Sequence, residues 1–130
     1  MAEPRVAPTP SRGRLWRSFG YAIRGLGATL ATQANARIHA GATVLVLVVG
    51  WWFGLSALEW CAVLLAVGTF WTAEGFNTAL ETLVDLVSPE HHPLAGRAKD
   101  VAAGAVLCSS IAAVVVGLIV FGPKILRLFS

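Results

Sequence analysis

Apolar and polar positions alternate along the chain in three patterns. From Leu15 to Leu30, apolar residues recur at helical spacing (Leu15, Phe19, Ala22, Ile23, Leu26, Leu30), with Arg14, Arg17 and Arg24 in the polar positions. This periodicity predicts an amphipathic helix over about 14–32 lying on a membrane surface. Between His39 and Glu59 lie nineteen consecutive uncharged residues, close to the ~20 that cross a hydrocarbon core as helix, which predicts a first span over about 38–57. Residues 101–123 are also free of charge and predict a last span over about 97–121. The apolar run between them, residues 60–73, is too short to cross alone. It completes a crossing, over about 58–87, only if the helix continues through Glu74 toward Val87. The expected fold is therefore all-α and integral to the membrane: one surface helix and three transmembrane helices.

Breakers set the joints. Ser88-Pro89 should stop the second span, because proline disfavours helix at the residue before it. His92-Pro93 should start the next helix, with proline in the first turn where its missing N–H costs little. Pro4, Pro8, Pro10 and Gly13 mark residues 1–13 as a disordered tail, and residues 122–130 are expected as a C-terminal tail.

Composition supports one small membrane domain. The 130 residues are 56% hydrophobic and 13% charged, with a mean hydropathy of +0.70, too apolar for a soluble domain of this size. Six of the ten Lys and Arg (Arg5, Arg12, Arg14, Arg17, Arg24, Arg37) precede the first span, with no apolar core and cleavage site of a secretory signal. The positive-inside rule then makes the N-terminus cytoplasmic and returns the 88–98 loop, with Arg97 and Lys99, to the same side; Lys124 and Arg127 oppose this weakly. The net charge of +3 suits an anionic leaflet or ligand, and nothing suggests nucleic acid. Cys61 and Cys108 read as small buried hydrophobes within the spans. GLGATL at 25–30 lacks the third glycine and preceding strand of a dinucleotide loop, and no GxxxxGK[ST] phosphate loop occurs.

The run AEGFNTALETLVDLVSPEHHPLAGRAKD, residues 73–100, carries the candidate chemistry. At 100° per residue, Glu74, Asn77, Glu81 and Asp85 project at about 0°, −60°, −20° and +20°, one narrow face along about 16 Å of helix. An ionised carboxylate at membrane depth costs at least ~2.5–3.5 kcal/mol, so this face needs a cation, a partner or water. Lys99, in the early turns of a helix, works against the dipole there, and a bound phosphate would relieve that conflict. Oxygen ligands for Mg²⁺, a cation for phosphate and a carboxylate to accept a hydroxyl proton meet the needs of metal-assisted phosphoryl transfer. An ion or proton path through a noncatalytic channel or transporter subunit would use similar groups, although the ionisable residues cluster at one end rather than through the membrane depth.

The pattern E-x-x-N-T-A-x-E-x-x-x-D from Glu74 to Asp85, followed by E-H-H-P-L-A-G-R-A-K-D-x-A-A-G-A-V-L from Glu90 to Leu107, resembles the small prokaryotic diacylglycerol kinase and undecaprenol kinase family. FGYAIRGL at 19–26 and NARIHAG at 35–41 are similar in order and spacing, so the resemblance covers roughly residues 14–121. The wording N-A-R-I-H and H-P-L-A is more similar to the undecaprenol branch. The resemblance implies a homotrimer in a prokaryotic plasma membrane, with interfacial active sites that move the γ-phosphate of MgATP onto a lipid hydroxyl, undecaprenol being favoured over diacylglycerol. It implies that Glu74 is the general base, that Asn77 orients acceptor or phosphate, and that Glu81 ligates the metal. Lys99 and Asp100 would contact the nucleotide's phosphates and Glu90, His91 and His92 the nucleoside; taken alone, the two histidines read as loop residues. Arg14 and Tyr21 would close over ATP, Arg37 would stand with Glu74 and Asn77 on the lipid side, and Gln33 and Glu81 would share the metal and the ATP site. One departure stands out: where the family's pattern has a metal-sharing glutamate, four residues before Arg37, this chain has Gln33, which predicts weaker or altered metal occupancy.

Overall fold

The computed structural model describes residues 12–130; of the tail expected at 1–13, residues 1–11 lie outside the described residues, and Arg12 and Gly13 already belong to the first helix. Four helices follow in order, α1 (Arg12–Thr32), α2 (Ala34–Trp52), α3 (Ala57–Val87) and α4 (Pro93–Leu126), with no strand among the described residues. Each joint has a local cause. Gln33 alone breaks α1 from α2, its backbone extended at φ −103°, ψ 112°, while its N–H still donates to the Thr29 carbonyl at 2.9 Å. Gly54 ends the α2 turn at φ +62°, a left-handed conformation that glycine adopts without a Cβ penalty. A capping box then opens α3: Ser56 Oγ accepts from the Glu59 N–H at 3.3 Å, and Glu59 Oε2 accepts from the Ser56 N–H at 2.7 Å. Pro93 is the first residue of α4, and His92 Nδ1 caps it by accepting from the Leu94 N–H at 3.2 Å.

Helix α3 is continuous for 31 residues through Glu74, Glu81 and Asp85, so the acidic face sits on the inner turns of one apolar helix. Several boundaries differ from those read in the sequence, among them the end of α2 at Trp52 rather than about 57. Helix α2 begins at Ala34 and takes in Arg37 and His39, because nothing after Gln33 stops it. Helix α4 passes through Pro123 to Leu126, so the last residues are not all tail. Proline withholds one helical hydrogen bond here, and the helix ends within a turn.

α3 and α4 form the most extensive pairing. The apolar core is concentrated at the end where α2 turns into α3: Leu55, Val63, Val120 and Phe121 are buried, with Phe53, Trp60 and Val116 packed against them. At that same end Lys124 reaches Glu59 at 3.0 Å, joining the last turn of α4 to the first of α3. Further along, Trp71 Nε1 donates to Thr43 Oγ1 at 3.1 Å, and the His39 and Phe70 rings meet at 4.4 Å, tying α2 to α3.

Outside this core the helices present apolar surface. The spans at 34–53, 57–87 and 93–126 are each long and apolar enough to cross a membrane, yet only 11–17% of their most apolar stretches is buried. A chain whose Leu58, Leu65, Leu118 and Ile119 are more than two-thirds exposed needs lipid or protein to cover it. It is an integral membrane protein. Cys61 and Cys108 are free and exposed on the outer faces of α3 and α4, not in the core where their apolar surroundings in sequence put them; helix rotation, invisible to hydropathy alone, decides which face a span residue takes.

Gly50 permits the tight α2–α3 corner. A Cβ at this buried position would lie 3.0 Å from both Leu55 Cδ1 and Trp60 Cη2. Gly50→Val is therefore expected to cost about 1–3 kcal/mol by overpacking, read as an earlier midpoint of SDS unfolding by circular dichroism. An unchanged midpoint would mean that the corner has slack.

Candidate active site

Burial grades steeply along the polar face of α3. Glu74 and Asn77 retain 5% and 8% of their exposure, Glu81 is half-buried and Asp85 is exposed. The face thus runs from the protein interior out to a surface, which a helix achieves by keeping residues three and four apart on one side while its neighbours end at different heights.

Two carboxamides hold Glu81. Gln33 Nε2 donates to Glu81 Oε2 at 2.7 Å, and Asn77 Nδ2 donates to Glu81 Oε1 at 3.1 Å. The first bond crosses from the α1–α2 joint to α3, and it is available because the Gln33 side chain makes no cap bond to its own helix. Facing a carboxylate, an amide must present its nitrogen. Asn77 Oδ1, in contrast, is buried with no hydrogen-bond partner. An unpartnered buried acceptor costs about 1–3 kcal/mol and asks for a donor or a cation. Asn77 is also the one polar residue lining an apolar groove of about 520 Å³ between α3 and α4, among Phe76, Leu80, Leu83 and Val101.

A second group of residues surrounds the short α3–α4 loop. Asp85, Ser88, Glu90, His91, His92 and Lys99 line a cavity of about 310 Å³. Lys99 Nζ is paired with Asp85 Oδ1, which answers the conflict with the helix dipole that the sequence posed: Asp85, not only a bound anion, compensates the lysine. Asp85 lies on the Glu81 face read from the sequence; its pairing with Lys99 across the short loop is what the structure adds. His92 has committed Nδ1 to the α4 cap, leaving Nε2 for any ligand.

The remaining candidates stand apart. Arg14 and Tyr21 are exposed on α1, where the Arg24 guanidinium stacks 4.7 Å from the Tyr21 ring; Arg37 is exposed on α2 and Asp100 on α4. Among the described residues no hydrogen bond or ion pair joins the side chains of these four to either group.

The donor set bears on a metal. Among the described residues, no three His, Cys, Asp or Glu side chains cluster as a metal cage. Mg²⁺ does not require one, since it is usually held by one or two carboxylates and by substrate phosphates, keeping several waters. Glu81, still with free lone pairs, and the orphaned Asn77 Oδ1 fit that mode; with no ion between them, Gln33 donates its nitrogen to Glu81.

Three apolar spans with a buried carboxylate and amide at one end, beside a cavity of acidic, basic and imidazole groups, define a membrane enzyme working at an interface. The profile described as prokaryotic diacylglycerol kinase matches residues 20–121, and the chain belongs to that family. It is similar to an undecaprenol kinase of Bacillus subtilis, 42% identical over 86% of this chain and 91% of the relative. It also resembles a diacylglycerol kinase of Synechocystis sp., 40% identical over 94% of this chain and 74% of the relative, and one of Escherichia coli, 33% identical over 78% and 84%. The protein is thus a phosphotransferase of the lipid-kinase class, with an alcohol as acceptor.

The Lys99 and Asp85 side chains are 37% and 68% exposed, and such pairs add at most about 1 kcal/mol to stability. Asp85→Asn should therefore leave the SDS unfolding midpoint within the scatter of repeat measurements. A large fall would mean that the pair holds the α3–α4 hairpin together.

Proposed function

We propose that this chain transfers the γ-phosphate of MgATP to the terminal hydroxyl of undecaprenol. The observation that carries the reading is a buried Glu74 one helical turn from a buried, unpartnered Asn77 oxygen at an apolar groove. A lipid alcohol supplies what that place lacks: an O–H to donate and a chain to lie against apolar walls. The similarity to the Bacillus subtilis undecaprenol kinase supports that acceptor; the Synechocystis relative, named a diacylglycerol kinase and matched over more of this chain, favours diacylglycerol as the second reading.

In this reading Glu74 takes the proton of the acceptor hydroxyl as its oxygen attacks the γ-phosphorus; the new O–P bond forms while the bond to the bridging oxygen breaks, and ADP leaves. Asn77 orients the hydroxyl, and Arg37 stands on the lipid side. Bound Mg²⁺ would neutralise the phosphate charge. Glu81 would hold it, with Asn77 Oδ1 within the same cluster and Gln33 behind Glu81. Lys99 faces the phosphates, exchanging Asp85 for them, with Asp100 nearby on α4; Glu90, His91 and His92 approach the nucleoside from the loop cavity. Arg14 and Tyr21 on α1 close over the nucleotide.

We place the N-terminus in the cytoplasm of a prokaryotic cell, with α1 lying amphipathically on the inner leaflet. Trp16, Phe19 and Ile23 are all more than 60% exposed there and suit burial among lipid headgroups. A homotrimer would cover the apolar faces left open along α3 and α4.

Transfer of labelled γ-phosphate to undecaprenol and to diacylglycerol, side by side in mixed micelles, tests the reading: labelled undecaprenyl phosphate in excess is expected, and excess phosphatidic acid would replace the acceptor. Glu74→Gln should lower turnover by about 10²-fold or more, the usual worth of a general base, with nucleotide binding retained. Unchanged turnover would remove Glu74 from the proton-accepting role.

A further inference from the structure

From the two amide contacts on Glu81 we infer that Gln33 is a positioning residue: a cation-independent latch that fixes the α1–α2 joint, and with it the α1 arm, to the active-site carboxylate of α3. This rests on the reading of Glu81 as the cation-holding group.

Thr29 and Ala36, on either side of the joint, are buried, and the Gln33–Glu81 bond is the side-chain hydrogen bond that ties the joint itself to α3. Gln33 is the single extended residue between two helices, and its side chain spends its N–H on Glu81 rather than on either helix. Against α3, the arm leaves a groove of about 760 Å³ lined by Gly25 and Gly75 and by Leu26, Leu83 and Leu86, and the large apolar residues of its outer turns are exposed. The 2.7 Å bond between Gln33 and Glu81 is a charge-assisted contact, stronger than a neutral one. Asn77 Nδ2 fixes the other oxygen of the same carboxylate, so Glu81 cannot turn to follow a drifting arm.

The neutrality of Gln33 is what makes the latch independent of metal. A carboxylate at position 33 would face Glu81 at the same short distance, and two ionised carboxylates there repel unless a cation lies between them. With an amide the junction closes before any ion arrives, and a divalent ion binding Glu81 on its remaining lone pairs finds the arm already in place. Glu81 is thereby preorganised, while the local negative charge is one less than two carboxylates would supply.

The test reads geometry, not turnover. Spin labels at Ser18→Cys on α1 and Val87→Cys on α3, in a full-length background with Cys61→Ala and Cys108→Ala and diluted with unlabelled protein, report the arm's distance from α3 by pulsed electron resonance in nanodiscs at pH 8, without ATP or lipid substrate. The expected pattern is one narrow distance with Gln33 in both EDTA and Mg²⁺. With Gln33→Glu the distance should lengthen and broaden in EDTA and return in Mg²⁺. The double variant Gln33→Glu with Glu81→Gln reverses the polarity of the bond, its new amide donating to the new carboxylate while still accepting from Asn77, and should again be indifferent to the ion. A general loss of packing would not be repaired by that exchange. Loosening of the Gln33 protein in EDTA, or an unchanged narrow distance in Gln33→Ala, would overturn the latch; a Gln33→Glu arm that Mg²⁺ fails to restore would overturn its link to the cation site. Because no substrate is present, absence of lipid phosphorylation would count against the proposed function and leave this result standing.

Discussion

A carboxylate set among apolar helices must be met by something polar, and the polar end of this protein is arranged around how Glu81 meets that demand. Its two oxygens are claimed by Gln33 and Asn77, so a single ionised group draws together the α1–α2 joint and a helical neighbour on α3. Asn77 spends one Nδ2 donor there and leaves its oxygen buried and unpartnered. The unmet acceptor next to Glu74 is a direct result of satisfying the charge one turn away, and it is the place where an incoming hydroxyl or cation gains most.

The lengths of the helices allow this. At 1.5 Å per residue, α3 and α4 run to roughly 46 and 51 Å against a hydrocarbon core of about 30 Å. The surplus lets one continuous α3 carry apolar residues through the bilayer and then the gradient from buried Glu74 to exposed Asp85. A helix that stopped at the membrane boundary would have to put the same groups on a loop, with less precise spacing and more backbone to satisfy. The short return through His92 and Pro93 brings Lys99 back against Asp85, so the charged end is closed by side chains of two packed helices.

Much of this was legible in the residues. Charge-free runs and two X-Pro breaks located three spans, and the face of Glu74, Asn77, Glu81 and Asp85 followed from helical spacing alone. What escaped was set by rotation and by pairing. Hydropathy cannot tell which side of a span meets the core, so Cys61 and Cys108 were assigned to the interior and lie outside it. Lys99 could be seen to conflict with the α4 dipole, but the partner that relieves it, Asp85, comes from another helix across a loop. Gln33 stood out as a substitution at a metal position; that its nitrogen, not its oxygen, meets Glu81 follows only from knowing that the two face each other. The end of α4 was misplaced because a proline in a last turn weakens a helix without ending it at once.

Among the described residues, four of the six buried apolar side chains and the Glu59–Lys124 pair sit together at the α2–α3 turn, while away from it burial is confined to Ala36 and Phe70 and to polar groups such as Thr29, Glu74 and Asn77. Cooperative stability is therefore distributed unevenly, and local opening draws on the end with less buried surface. In the proposed function the protein would behave as a fork with a rigid handle, its prongs parting to admit a lipid and release the product without the handle unfolding. Amide exchange would be slowest at the handle, far from the chemistry, and mutations that loosen the prongs would alter access more readily than they abolish the fold.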